Sequence, residues 1–256
     1  MPRGSATAPA IPMPTPGGAG YSFFLDFDGT LVDMTATPTD VRRDAELIEL
    51  LRKLSATLDG ALALISGRPI AQLDALLAPL QLPMAGLHGL ERRDPLGEPQ
   101  HSVVDTTWVA AARWQLRLHV DAHPGLLLED KGLVLALHYR NAPQHEAASR
   151  AIIEKLRGAL PPQVEILEGD SVLEIRPSVE DKGTAIKAFM SEAPFAGKKP
   201  LFIGDDISDR PAIAAVIRLG GTAICVGDRI AAPWRLPTPA AVRQWLADFV
   251  AAGGSQ

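Results

Sequence analysis

The stretch from Tyr21 to Leu31, YSFFLDFDGTL, decides how the rest of the chain is arranged. Residues 22–25 form a mainly apolar run, which predicts a strand buried on both faces of a parallel sheet. Asp26 and Asp28 follow the strand directly, and Gly29 lets the backbone turn close to a ligand. Open α/β sheets bind their ligands at the carboxyl ends of the strands. Because folding stability gives no reason to place two carboxylates there, the stretch predicts a site of chemistry.

Around this stretch, apolar strands alternate with amphipathic helices in two blocks of the chain. Leucines at three- and four-residue spacing from Leu47 to Leu58 predict a helix. The other predicted elements are strands at Ala61 to Ile65, Leu82 to Leu87, Pro200 to Ile203 and Thr222 to Val226, and helices after Pro69, at Asp181 to Met190, at Ala212 to Leu219 and at Ala240 to Val250. The alternation predicts an α/β fold on a parallel sheet with right-handed crossovers.

Between the two blocks, the pattern changes to a helix and a hairpin, repeated twice. The polar, turn-rich residues 91–100 mark the change. We predict helices at 108–120 and 143–160 and hairpins at 125–140 and 164–175. This order is typical of a small antiparallel α+β domain.

The domain organisation follows from this change of pattern. We predict a core domain from residues 21–100 and 176–256, with an inserted domain at 101–175. Its two linkers can act as one hinge, which suits a cap that closes over a site. Residues 1–20 are rich in Pro, Gly and Ala, so we expect a disordered tail there.

The composition favours a globular protein that acts on a small molecule. Hydrophobic residues make up 46% and charged residues 21% of the 256 residues, as in soluble domains. A net charge of −5 without any basic run argues against a nucleic-acid partner. No apolar stretch is long enough to span a membrane. The single Cys225 allows no internal disulfide and predicts a reducing, cytoplasmic setting. We expect a monomer.

Polar residues occupy four places where buried elements do not need them. They are Asp26, Asp28 and Thr30, then Ser66 and Gly67, then Lys182 and Gly183, then Gly204, Asp205, Asp206 and Asp209. Each group alone has a plain interpretation, such as a turn at Ser66 or a helix cap at Asp205. A calcium loop at Asp26 is disfavoured, since no glutamate closes it at the required offset. Taken together, the groups resemble the four motifs of the haloacid dehalogenase (HAD) superfamily of phosphotransferases.

The resemblance implies a Rossmann-like HAD core and a Mg²⁺ site. Asp26 would be the nucleophile that forms an aspartyl-phosphate, and Asp28 the general acid and base. By the same resemblance, Asp26, the Asp28 carbonyl and Asp205 would hold the metal, Thr30, Ser66, Gly67 and Lys182 would bind phosphoryl oxygens, and Asp206 and Asp209 would support the metal ligands. A cation is needed because a carboxylate cannot approach a dianionic phosphate ester unaided.

Four further segments resemble the bacterial trehalose-6-phosphate phosphatases. They are GLHGLERR at 86–93, LEDKG at 128–132, LHYR at 137–140 and LEIRP at 173–177. This resemblance covers both predicted domains. It implies a C2-type cap and Mg²⁺-dependent release of phosphate from trehalose 6-phosphate, the last step of trehalose biosynthesis. The expected partner is thus a small sugar phosphate.

Polar residues of the predicted cap strands are the candidates for gripping a sugar. By the family resemblance, Glu129, Lys131 and Glu174 are the first choices, and His88 and Arg93 near the hinge are weaker ones. Charged groups can hydrogen-bond the vicinal hydroxyls of a disaccharide. The plain alternative is the solvated face of an antiparallel sheet.

One departure from the family pattern keeps other functions open. Arg210 stands in the last motif where the family usually has an acid. A catalytically silent sugar-phosphate-binding regulatory protein is therefore an alternative, although binding alone needs neither a nucleophile nor an acid. The second alternative is a phosphatase for another sugar phosphate, such as sucrose 6-phosphate.

Two histidines have the spacing of helical zinc ligands. His119 and His123 are four residues apart, as in zinc sites on helices. No third ligand stands nearby in the sequence, so we interpret both as ordinary helix residues.

Overall fold

Two β-sheets organise the computed structural model, which describes residues 20–253. The disordered tail that we predict for 1–20 lies outside the described residues, except for Gly20. Each sheet has its own cluster of buried apolar side chains. The described residues contain no helix that is long and apolar enough to cross a membrane.

The first sheet has eight strands in the order β12-β11-β10-β1-β2-β3-β4-β5. Its strands are β1 (Tyr21–Leu25), β2 (Leu62–Ile65), β3 (Met84–Gly86), β4 (Glu91–Arg93), β5 (Pro99–His101), β10 (Lys199–Gly204), β11 (Thr222–Val226) and β12 (Trp234–Leu236). All neighbours pair in parallel except in the β3-β4-β5 stretch, which is antiparallel. The sequence prediction of a largely parallel α/β sheet is confirmed.

Helices cover both faces of this sheet. They are α1 (Ala45–Thr57), α2 (Ile70–Leu77), α5 (Lys182–Met190), α6 (Arg210–Arg218) and α7 (Pro239–Gly253). Successive residues of a strand point to opposite faces. Accordingly, Phe23 stacks on Trp245 of α7, whereas Phe24 packs on Phe189 and Phe195. Strand β1 is therefore buried on both sides, as its apolar run predicts.

The inserted module is a four-stranded antiparallel sheet with two helices. Its elements are α3 (Val109–Asp121), β6 (Leu127–Asp130), β7 (Leu135–His138), α4 (Glu146–Arg157), β8 (Val164–Gly169) and β9 (Val172–Pro177). The strand order is β6-β7-β9-β8. The predicted repeat of helix and hairpin is thus confirmed, and the strands of the second hairpin run about two residues longer than predicted.

The sequence analysis missed three strands at the margins of the first sheet. Residues 91–100 were predicted as a turn-rich connection, but β4 and β5 form a hairpin that extends the sheet beyond β3. Strand β5 is exposed and polar, so no apolar alternation reveals it. The Asp94 carboxylate accepts the backbone N–H groups of Leu96 and Glu98 and so closes the turn. Strand β12 is a three-residue edge strand with the same weak signal.

Candidate active site

The candidate site lies where three neighbouring strands of the first sheet end. Strand β1 pairs with β10 on one side and with β2 on the other. The residues that follow these strands therefore meet at one edge: Asp26 after β1, Ser66 after β2 and Asp205 after β10. All three are buried. Three of the four polar groups singled out in the sequence therefore meet at one edge of the sheet.

Helix α5 brings a lysine to the same place. Lys182 Nζ donates to Asp26 Oδ1 and to Asp209 Oδ1, both at 2.6 Å. The Lys182 side chain is only 3% exposed. The second oxygen of Asp209 accepts the backbone N–H groups of Asp205 and Asp206 at 2.8 and 3.0 Å. Asp209 thus fixes both the lysine and the loop after β10.

The turn after β1 depends on Gly29. Its φ is +81°, a left-handed value that glycine adopts without strain. A Cβ at this position would lie 2.3 Å from Asp205 Oδ2. Any other residue would therefore push the two acidic strand ends apart. We expected Gly29 to let the backbone approach a ligand; in the structure its close neighbour is the Asp205 carboxylate.

The acidic groups carry more negative charge than the protein neutralises. Burial raises the pKa of Asp26 well above its usual value, and Asp209 and Asp205 add to the shift although Lys182 opposes it. Burial, together with Asp209, raises the pKa of Asp205 to about 7. Although burial opposes its charge, Asp209 and Asp26 raise the pKa of Lys182. Lys182 is one positive charge among several carboxylates, so the net negative charge of the cluster would favour binding of a further cation.

The geometry of these carboxylates fits a cation. Asp26, Asp205 and Asp209 each offer an oxygen, and the three oxygens lie within 4.8 Å of one another. Carboxylate oxygens are the hard ligands that Mg²⁺ takes. Burial is the largest cause of the raised pKa values of Asp26 and Asp205, and repulsion between the neighbouring carboxylates adds to it. A bound cation would offset that repulsion. The donor set therefore suits a divalent metal ion.

Asp28 has a different environment from Asp26. Its side chain is 29% exposed and faces the cavity. Arg68 Nε and Nη2 donate to its two oxygens at 2.6 and 2.7 Å, a bidentate pair. Arg68 also donates to Pro38 O, so the guanidinium is held in place. The sequence analysis did not identify Arg68 as a partner of Asp28. The only signal was its position directly after Ser66 and Gly67.

Three predicted site residues, Thr30, Arg93 and Asp209, do not line the cavity. Asp209 lies behind it, where it holds Lys182 and the loop after β10. The Thr30 hydroxyl is buried and donates to Asp205 Oδ1 at 3.3 Å, so it supports a carboxylate where we predicted phosphate binding. Arg93 points away and pairs with Asp74 at 2.8 and 2.9 Å. Our suggestion that Arg93 grips the sugar is therefore wrong for this arrangement: its position on β4, a strand we missed, directs it toward α2.

The inserted module covers the cavity with charged side chains. Glu129, Lys131 and Glu174 all line it. Glu129 and Glu174 both lie opposite Ala136 of the central strand β7, so they share one face of the sheet. Lys131 Nζ donates to Glu174 Oε1 at 2.8 Å and to the Gly67 carbonyl at 3.1 Å. The predicted cap residues are therefore brought together opposite the strand ends of the core.

Further cavity residues escaped the sequence analysis. His138 Nε2 hydrogen-bonds Glu129 at 3.0 Å, and Asp170 pairs with Arg140 at 3.0 Å. Arg229, from the loop after β11, pairs with Asp206 at 3.2 Å and approaches Asp170 at 3.5 Å. His138 and Arg140 belong to the LHYR segment, which was the available signal. No sequence pattern singles out Asp170 or Arg229.

The remaining sequence candidates lie away from the cavity. Arg210 is the exposed first residue of α6 and does not line the site, so its charge faces solvent. The rings of His119 and His123 are in contact, with centroids 4.2 Å apart, and the ring of His145 lies 5.0 Å from that of His123. Within the described residues, however, the only group whose ligand atoms meet is that of Asp26, Asp205 and Asp209.

Comparison with solved structures identifies the class of fold. The C-terminal domain of Candida albicans trehalose-6-phosphate phosphatase matches with a TM-score of 0.81 and 21% identity, over 90% of this chain and 92% of that chain. A HAD-superfamily phosphatase from Bacteroides thetaiotaomicron matches with a TM-score of 0.62 and 14% identity, over 96% and 100% of the two chains. The molecule has the fold of the HAD superfamily.

Sequence comparison identifies the family within this class. The family model for trehalose-phosphatase matches residues 24–224. The trehalose-6-phosphate phosphatase of Escherichia coli (strain K12) is 42% identical over 231 residues, which are 89% of this chain and 86% of that protein. The chain belongs to the trehalose-phosphatase family.

Proposed function

We propose that this protein hydrolyses trehalose 6-phosphate to trehalose and phosphate, as the last step of trehalose biosynthesis. The observation that carries the proposal is the pair Asp26 and Asp28 on one turn, facing a cavity that the charged strands β6 and β9 close. The family supports the substrate: the relative that is 42% identical is a trehalose-6-phosphate phosphatase.

Asp26 is the proposed nucleophile. Lys182 Nζ donates to its Oδ1 at 2.6 Å, and the oxygen proposed to attack phosphorus is Oδ2. The attack forms an aspartyl-phosphate and releases the sugar oxygen. Ser66 and the Gly67 amide, at the end of β2, line the cavity beside it and are proposed to bind the phosphoryl oxygens.

Asp28 is the proposed acid and base. It gives a proton to the leaving sugar oxygen and then takes one from the water that cleaves the aspartyl-phosphate. The bidentate contact with Arg68 fixes the orientation of the Asp28 carboxylate in the cavity wall. Asp26 has no such partner and is buried beside a lysine, so the two carboxylates are suited to different tasks.

Mg²⁺ is the proposed cofactor. Asp26, Asp205 and the Asp28 carbonyl would hold it, with Asp206 and Asp209 supporting these groups. When bound, it offsets the charge of the phosphoryl oxygens beside the carboxylates. The buried acidic cluster of Asp26, Asp205 and Asp209 supports this assignment.

The inserted module is the proposed specificity domain. We infer that residues 101–175 act as a cap on the core of 21–100 and 176–256. Glu129, Lys131 and Glu174 would bind sugar hydroxyls through charge-assisted hydrogen bonds. The cavity is open to solvent and is lined by residues of both modules, so a ligand bound there would contact both. We further propose a cytoplasmic monomer, and the buried free Cys225 agrees with a reducing setting.

A panel of phosphate esters tests the proposal. Phosphate release is measured with Mg²⁺ for trehalose 6-phosphate, sucrose 6-phosphate, glucose 6-phosphate and p-nitrophenyl phosphate. We expect kcat/KM for the trehalose ester to exceed that for each other sugar ester by about 100-fold or more, because a site built from hydrogen-bonding groups discriminates strongly. Equal rates among the sugar esters would defeat the substrate assignment. Release from none of the esters would favour the catalytically silent alternative.

A further inference from the structure

A buried chain of hydrogen bonds links the core to the inserted module at the cavity wall. His88 Nε2, from the core, donates to Glu174 Oε2 at 2.8 Å. Lys131 Nζ occupies the other oxygen of Glu174 at 2.8 Å and reaches the Gly67 carbonyl at 3.1 Å. Both oxygens of Glu174 are therefore held, one from each module. The side chains of His88, Glu174 and Lys131 are all less than 10% exposed.

His88 has a left-handed backbone conformation, and close packing fixes its ring. Its φ of +58° is left-handed, which is uncommon for a residue that is not glycine. Its backbone N–H donates to the Ser66 carbonyl at 2.9 Å. A Cβ at Gly67 would lie 2.7 Å from His88 Cε1, so the ring fits only against glycine. Strained residues of this kind concentrate at functional sites.

The electrostatic surroundings of His88 and Glu174 are consistent with a hydrogen bond in which His88 is the donor and Glu174 the acceptor. Burial lowers the pKa of His88, although Glu174 opposes the shift. Burial would raise the pKa of Glu174, but Lys131 and His88 hold it well below its usual value. The Nε2–H of His88 can therefore donate to a carboxylate that stays ionised. His88 Nδ1 has no hydrogen-bond partner among the described residues, so the ring is anchored through Glu174.

We propose that His88 is a positioning residue: it holds Glu174 in the orientation that receives the sugar, and joins sugar recognition to the loop at Ser66 and Gly67. The inference rests on the proposed function, because Glu174 is the group assigned to the sugar. Without His88, Lys131 alone would hold Glu174 by one oxygen, and the carboxylate could turn. The sugar would then have to order it on binding, at a cost in affinity.

Kinetics of the His88→Asn variant test this role. Asparagine tolerates a left-handed backbone but is too short to reach Glu174. We expect KM for trehalose 6-phosphate to rise about 10-fold, because a buried hydrogen bond to a charged group is lost. Values for p-nitrophenyl phosphate, which has no sugar, should stay within about twofold. An unchanged KM, or an equal loss with both esters, would overturn the proposal. His101→Asn, on exposed β5, is the matched control.

A double-mutant cycle separates positioning from direct contact. If His88 acts through Glu174, the double variant His88→Asn/Glu174→Gln should be no worse than Glu174→Gln alone. Effects that multiply would mean that His88 acts by itself and would overturn the proposal.

A third measurement does not depend on the identity of the substrate. In ¹⁵N NMR of the free enzyme, the ring resonances of His88 should shift in Glu174→Gln, because the acceptor of its Nε2–H bond changes from a carboxylate to an amide, and should stay in place in His101→Asn. No shift in Glu174→Gln would refute the link, even if the panel of esters refuted the proposed substrate.

Discussion

At the scale of single residues, two carboxylates of one turn acquire different properties from their partners. Asp26 is buried and bound to Lys182, whereas Asp28 is partly exposed and bound to Arg68. The sequence motif predicts that both matter, and the resemblance assigns them different tasks. The physical reason lies in partners 40 and 156 residues away along the chain, which no local pattern reveals.

A prediction at this scale concerns pH and the metal. The folded pKa of Asp205, about 7, is above the usual 3.8, so the metal-free folded protein binds a proton that the unfolded chain releases between about pH 4 and 7. Its contribution to stability is present below about pH 4 and is lost as pH rises toward 7. Because Mg²⁺ competes with that proton, stabilisation by Mg²⁺ should grow from pH 5 to pH 8.

Thermal unfolding with and without Mg²⁺ at pH 5, 6.5 and 8 measures this effect. We expect the largest rise in Tm with Mg²⁺ at pH 8 and a strongly reduced rise at every pH in Asp205→Asn. The same Mg²⁺-induced rise in Tm at pH 5 and pH 8 would contradict the electrostatic account of the cluster.

At the scale of elements, the strands and helices that could be predicted are those with a clear hydrophobic pattern in the sequence. Strand β1 and helix α1 follow from apolar runs and leucine spacing, and both form where expected. Strands β4, β5 and β12 are short and lie at or near the sheet margins, where pairing with a neighbour, and not a hydrophobic pattern, decides the structure. Missing β4 is the reason that Arg93 was misplaced.

The start of α5 gives a prediction at this scale, because it positions Lys182. Asp181 Oδ1 accepts the Thr184 N–H at 2.7 Å, and Thr184 Oγ1 accepts the Asp181 N–H at 2.9 Å, a reciprocal cap. Asp181→Ala should lower the free energy of unfolding by about 1 kcal/mol, measured by urea denaturation. Thr57→Ala, at a half-buried position at the end of α1, removes only a hydroxyl that donates to the Lys53 carbonyl and should change the free energy of unfolding by less than about 0.5 kcal/mol. Equal values for the two variants would speak against the capping role.

At the scale of the whole molecule, the two modules divide the work. The core supplies the carboxylates and the lysine, and the inserted sheet supplies charged groups that close the cavity. The existence of two modules could be predicted, since the change from alternating to helix–hairpin pattern is plain. The contact between them could not, because His88 and Glu174 are 86 residues apart and carry no signal of pairing.

The family and the retained motifs argue against the alternative of a catalytically silent sugar-phosphate-binding protein. Arg210, the departure that keeps it open, lies exposed on α6 and outside the cavity. The groups that the proposed mechanism requires, Asp26, Asp28 and Lys182, all line the cavity. A protein that only binds a sugar phosphate has no need of this arrangement.

The most direct test of the account compares wild type and Asp26→Asn for phosphate release from trehalose 6-phosphate in the presence of Mg²⁺. Asparagine keeps the shape of Asp26 but is a very poor nucleophile, so kcat should fall by about 10⁴-fold or more. Circular dichroism should show that the fold is retained. Turnover by Asp26→Asn close to that of the wild type would contradict the central claim that Asp26 takes up the phosphoryl group.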